Sequence, residues 1–156
     1  MYIIRRAEKK DVDSCLNLLK QVCNVHSKIR PDLFKMGQTK YIDKELEEIF
    51  LDDSKPVFVY EEKDKVLGYG FCQINVIKGN VHPKEIKSLY IDDICIDEEN
   101  RGRHIGKLIY EYIINFAREI GCYNVTLNVW EGNDSAKKFY ESMGMNKQKT
   151  TMEKIL

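Results

Sequence analysis

The chain has no net charge: 25 lysines and arginines stand against 25 aspartates and glutamates. That balance excludes the broad positive field of a nucleic-acid binder and leaves any anion recognition to a local cluster. A Cys-x-x-Cys pair is also lacking. Cys15, Cys23, Cys72, Cys95 and Cys122 are odd in number and scattered, and the chain has only three histidines as co-ligands, so neither a disulfide framework nor a metal site is expected. Most of the cysteines sit on apolar stripes and read as small core residues in a reducing compartment. No uncharged run is long enough to span a bilayer, and residues 1–6 carry no apolar leader with a cleavage site, which points to a soluble, cytoplasmic protein without a membrane partner. Asn124 and Asn133 open glycosylation-like triplets, which carry no meaning without secretion. Repeats, low-complexity segments and linkers are missing too. At 156 residues the chain reads as a single domain, 1–156, able to bury roughly two thirds of its unfolded surface.

What is present alternates between two hydrophobic periods. Residues 2–5 suit an opening strand, and Val12, Cys15, Leu16, Leu19, Val22 and Cys23 mark a first helix. The pattern lapses over 25–38, and Arg30 before Pro31 is pushed out of the helical region, so a loop is expected there. Ile42, Leu46, Ile49 and Phe50 give a short second helix closed by a turn over 52–56. Residues 57–60 and 66–74 read as a hairpin, in which Gly68 and Gly70, two apart on one strand face, suggest a bulge or a close neighbour. A loop is expected over 78–87, with Gly79, Asn80, His82 and Pro83, and a strand over 89–96. The clearest element is a helix from Ile105 to Ile120, stopped by Gly121. Residues 125–130 read as a strand, which makes 89–130 a β-α-β unit with parallel strands. A short helix over 135–143, ended by Gly144, and a last strand over 148–154 complete the reading.

Between the 89–96 strand and the long helix lies Arg101-Gly102-Arg103-His104-Ile105-Gly106-Lys107. A basic, glycine-containing turn that opens directly into a helix is the layout of an anion site, because the first amides of a helix have no intrahelical acceptor. A Walker loop is excluded: three residues separate Gly102 from Gly106, and Leu108 follows Lys107. A dinucleotide fingerprint would need an early strand, and this one is late. What remains is a diphosphate site, with charge from Arg101 and Arg103, close backbone approach at Gly102 and Gly106, and Ile105 turned inward as an anchor.

The turn resembles the acyl-coenzyme A pyrophosphate loop of the GNAT family of N-acetyltransferases, whose pattern is Arg/Gln-x-x-Gly-x-Gly/Ala. His104 replaces the middle glycine. Downstream, Asn133-Asp134-Ser135-Ala136-Lys137-Lys138-Phe139-Tyr140 through Gly144-Met145 resembles the family's second motif, Asn-x-x-Ala-x-x-Phe-Tyr-x-x-x-Gly-Phe. The resemblance implies an α/β (α+β) fold: a mixed, mostly antiparallel sheet, helices on both faces, and a splayed parallel strand pair. It implies acetyl-CoA as cofactor, no metal, and direct transfer of the acetyl group to a primary amine of a small molecule, peptide or protein. A homodimer is compatible with it.

The resemblance also assigns residues. Ile94, Cys95 and Ile96 would border the pantetheine arm, and Arg101 through Lys107, Asn133, Ala136 and Tyr140 would hold the cofactor. Tyr140 matches the acid that protonates the leaving thiolate. Asp92 and Asp93 are both candidates for the base; adjacent on a strand, at most one should face the slot, Asp92 being favoured unless a bulge exchanges them. His26, Arg30, Tyr41, Asn128 and Trp130, with Glu131, are candidates for the acceptor side. Two other functions fit the same residues: a non-catalytic acyl-CoA sensor, and an acyltransferase that uses a larger acyl group.

Overall fold

A computed structural model describes residues 1–78 and 85–156, so the loop expected around Gly79, Asn80, His82 and Pro83 lies outside the described residues. The elements are β1 (Tyr2–Arg6), α1 (Val12–Ile29), α2 (Asp43–Phe50), β2 (Val57–Glu62), β3 (Lys65–Ile77), β4 (Ile86–Ile96), α3 (Ile105–Glu119), β5 (Asn124–Leu127) and α4 (Asp134–Ser142). The strands lie in one sheet in chain order. Pairing is antiparallel from β1 to β4 and parallel between β4 and β5, as a β-α-β crossover requires.

Because successive strand residues face opposite ways, the sheet separates two cores. Val57, Val59, Tyr69 and Phe71 pack against α1 and α2, while Phe58, Tyr60 and Cys72 meet the isoleucine stripe of α3 on the other face. Gly68 and Gly70 belong to that second face, and the neighbour expected there is α3: a Cβ on Gly70 would lie 2.7 Å from Ile113 Cδ1 and 3.1 Å from Ile109 Cγ2. Removing two side chains lets α3 sit closer to the sheet. Gly121, with φ +81, ends α3 as its position suggested.

Three expectations need correction. Helix α1 runs to Ile29 rather than Cys23. Its apolar stripe lapses because Val25 and His26 front a cavity rather than the core; the helix ends where Pro31 forces it to, at Arg30 (φ −131, ψ 73). Strand β5 stops at Leu127, since beyond it β4 offers no edge in register. Residues 148–154 form no strand; they are polar for most of their length and every side chain from 146 to 156 is exposed, so no buried face fixes a register.

Candidate active site

Strand β4 pairs with β5 from Ser88↔Asn124 to Ile91↔Leu127 and no further, although β4 continues to Ile96. Its opposite edge stays paired with β3 as far as Gly68↔Ile96. The two parallel strands therefore part after Ile91. One edge of the Ile94–Ile96 backbone is left without a strand partner, and its peptide groups need an acceptor or donor from elsewhere.

At the point of divergence β4 carries a bulge. Phe71 pairs with Asp93 and Cys72 with Ile91, which leaves Asp92 as the extra residue. The consequence is visible in parity: Leu89 and Ile91 face the α3 core, while Cys95, also odd-numbered, faces the α1 core. The bulge reverses the faces. It also corrects the expectation that only one aspartate could face the slot, because both Asp92 and Asp93 line the same cavity.

Beyond Ile96 the chain makes a single tight turn, Glu98–Asn100, latched to α1 by Gln21: its Nε2 donates to Asp97 Oδ1 (2.9 Å) and its Oε1 accepts from Glu98 N (3.0 Å). Asn100 Nδ2 closes the turn on Asp97 Oδ2 at 2.8 Å. Arg101 then folds back so that Nε donates to the Ile96 carbonyl at 3.4 Å. His104 caps α3 in the left-handed conformation (φ 61, ψ 17), the geometry a glycine would adopt without strain. Ile105 is buried and anchors the helix start. Around these turns lies a cavity of about 410 Å³, bordered by Arg101, Gly102, His104, Ile105, Gly106 and Lys107. Its free helix-start amides and the Arg101 guanidinium suit a diphosphate. Arg103 does not join them. Its guanidinium is held by both carboxylate oxygens of Glu62 (2.8 and 2.9 Å) and by Asn100 Oδ1 (2.9 Å), so it fastens the loop to β2.

Arg101, Ile96 and Gly106 border a second, larger cavity of about 780 Å³ as well. A ligand running along the β4 edge can therefore reach from the loop into this space. Here stand Asp92, Asp93, Asn133, Ala136 and Tyr140. Burial pushes the Asp93 carboxyl up to about 6, against the pull of the Tyr69 hydroxyl, which donates to Oδ2 at 2.6 Å. Burial also pushes the Tyr140 phenol upward, with the negative charge of Asp93 adding to the effect. A proton acceptor poised near neutrality and a proton donor that keeps its proton thus share one chamber. Asn133 caps α4, its Oδ1 accepting from Ala136 N at 3.4 Å, which fixes the helix that carries Tyr140.

Residues 19–145 match the acetyltransferase (GNAT) family. The chain belongs to that family. Among solved structures, a mutant Bacillus halodurans protein superposes with a TM-score of 0.92 at 33% identity over 99% of both chains. A glucosamine 6-phosphate N-acetyltransferase of Arabidopsis thaliana is 34% identical over 68 residues, 44% of this chain and 44% of its own length, so this alignment spans less than half of that relative. A thialysine N-epsilon-acetyltransferase of Bos taurus is 24% identical over 152 residues, 91% of this chain and 82% of that protein.

Within this GNAT chain most residues expected at the site from the sequence converge on the two cavities. On the acceptor side His26, Asn128 and Trp130 line the larger one. Arg30 and Tyr41 do not. Arg30 is tied to Asp32 and Glu153 and lies 5.4 Å above the Trp130 ring, so it braces a wall from outside, and Tyr41 stacks on Phe71 at the edge of the core. Glu131 is exposed and borders neither cavity. Sequence reasoning missed Phe34, Lys40 and Tyr90, all on the wall of the larger cavity. The lapse of helical period after Cys23 was the available signal for the first two; Tyr90 looked like an ordinary strand aromatic. Among the described residues no group of three or more His, Cys, Asp or Glu is placed to hold a metal ion, and no helix is long and apolar enough to cross a membrane.

Proposed function

We propose that the protein is an acetyl-CoA-dependent N-acetyltransferase that passes the acetyl group directly to a primary amine. The observation that carries this reading is the continuity of the site: a strand edge left open by the β4–β5 divergence runs from the Arg101–Gly106 anion cavity into the chamber of Asp93 and Tyr140. When bound, the cofactor supplies an activated thioester. Arg101 and the amides at the start of α3 hold its diphosphate, and the open edge of Ile94–Ile96 pairs with its amide-bearing arm as an added strand would. An N–H on that edge would supply the donor that stabilises negative charge as it develops on the thioester carbonyl. Asp93 takes the proton of the incoming ammonium, directly or through water, and Tyr140 returns one to the departing thiolate. The acetyl-transfer names of the Arabidopsis and bovine relatives support the reaction type.

The test is release of free thiol from acetyl-CoA across a panel of alkyl amines, amino sugars and peptides. Tyr140→Phe should lower kcat by about a hundredfold or more, the usual contribution of a positioned acid, while the Kd for coenzyme A stays within about threefold. Tight coenzyme binding with no thiol released for any acceptor would replace the enzyme by an acyl-CoA sensor. Faster release from succinyl-CoA than from acetyl-CoA would replace the acetyl group by a larger one.

A further inference from the structure

Lys40 lies on the connection between α1 and α2, which folds back over α1 through Gly37 N, donating to Asn24 Oδ1 at 2.8 Å, and through the Cys23 thiol, donating to the Lys35 carbonyl at 3.2 Å. From there its side chain enters the larger cavity, and Nζ donates to Asp92 Oδ2 at 2.8 Å. The same ammonium lies 5.4 Å from the centre of the Tyr41 ring. Tyr41 itself stays outside the cavity, whose wall carries Phe34, Trp130, His26 and Tyr90; Phe34 meets His26 at 5.2 Å and Trp130 edge-on at 5.8 Å. A carboxylate set among aromatic faces is the chemistry that selects an alkyl ammonium, and in this chain an alkyl ammonium is already there, at the end of a flexible tether.

We infer that Lys40 is a built-in stand-in for the acceptor: its ammonium occupies, at Asp92, the subsite of a primary alkyl ammonium, and acceptors bind by displacing it. The pair suits displacement. Lys40 is more than half exposed at its side chain and Asp92 about a quarter, so the contact is the weak, solvent-screened kind. Burial pulls the Lys40 ammonium down, but Asp92 outweighs it and moves the group upward; the lysine therefore stays charged and is a poor nucleophile itself. The aspartates then divide the work, Asp92 receiving the cation and Asp93, hydrogen-bonded to Tyr69, taking the proton. The role of the subsite in catalysis rests on the transfer reading above, but the binding does not.

The probe is n-butylamine, which copies the lysine side chain, with n-butanol as its uncharged counterpart. Both are titrated by NMR into the wild type and into Lys40→Met, Lys35→Met and Lys40→Met/Asp92→Asn. Removing an internal competitor of this strength should tighten butylamine binding by about two- to sixfold in Lys40→Met, leave butanol unchanged, and lose the gain when Asp92 is also replaced. Lys35 lines the same cavity, so an equal gain in Lys35→Met would reduce the effect to general charge and overturn the inference. Unchanged or weaker binding in Lys40→Met, or no binding to any variant, would overturn it too. With acetyl-CoA present, the same variant should show a lower KM for butylamine at unchanged kcat. Tighter binding with no thiol released for butylamine or for any acceptor of the panel above would uphold the subsite and refute the transfer reading.

Discussion

Asp93 shows how one residue's surroundings decide what it can do. Its carboxyl is half-buried on the wall of the larger cavity, accepts from the Tyr69 hydroxyl, and is held at about 6 where an ordinary aspartate titrates near 3.8. In the unfolded chain it releases its proton at the lower value. Between about pH 4 and 6 the native state thus binds more protons than the unfolded one, so this residue lowers stability as pH rises through that window and adds no further change above it. Two pH units correspond to at most about 3 kcal/mol. Asp93→Asn should remove this decline from urea unfolding measured across the window. The same substitution should abolish the acidic limb of kcat/KM, which in the wild type rises through about pH 6 as the base ionises. An acidic limb that survives in Asp93→Asn would transfer the role to another group. None of this tuning was legible in the sequence, where Asp92 and Asp93 are interchangeable neighbours. By contrast Gly102, His104 and Asn133 were singled out in the sequence through the two motifs they belong to, and the structure gives each a local demand, a positive φ or a helix cap, that only a few residue types meet.

At the scale of elements, the site depends on how closely α3 approaches the sheet. Gly68 and Gly70 create that closeness: a Cβ on Gly68 would come within 2.8 Å of Ile96 Cδ1 and 3.0 Å of Ile109 Cδ1, and one on Gly70 within 2.7 Å of Ile113 Cδ1. The nearest atoms are ends of isoleucine side chains, which can yield in part. Gly70→Ala should therefore cost about 1–3 kcal/mol, the usual range for an overpacked core, measured by denaturant unfolding. Ile113→Val in the same chain removes the methyl in the way and should recover much of the loss, a coupling that appears only if the two positions touch. Additive losses would mean that α3 does not rest on Gly70. The paired glycines signalled this approach because a missing side chain is written in the sequence. The bulge at Asp92 was not, since it arises from the pairing of two strands whose residues carry no mark of it. The last two turns of α1 were hidden for a related reason: their inward face looks into a cavity, and hydrophobic period records burial in a core.

For the molecule as a whole, the chain after α4 is where local pattern and tertiary structure part company. Met145 still packs on the α3 core, but from residue 146 onward every side chain is exposed, including Met152, Ile155 and Leu156. Among the described residues, the side-chain hydrogen bond that ties this segment back is to Glu153 Oε1, which accepts from Arg30 Nη1 at 2.7 Å. Sequence order suggested a last strand here, and the sheet does have an open edge at β5, yet the chain does not return to it. Ending the protein after Lys147 removes one exposed ion pair and little buried surface. Within a monomer, the urea midpoint of unfolding should stay unchanged, because an exposed pair of this kind contributes little. A tail laid against the β5 edge of a second copy predicts a different result, because an open edge readily accepts another strand: the full-length protein would then melt at a temperature that rises with protein concentration, and truncation would abolish both that dependence and the heavier species in sedimentation velocity. A concentration-independent melt, unchanged by truncation, is the outcome expected from the single ion pair, and it would assign the tail no part in holding the fold.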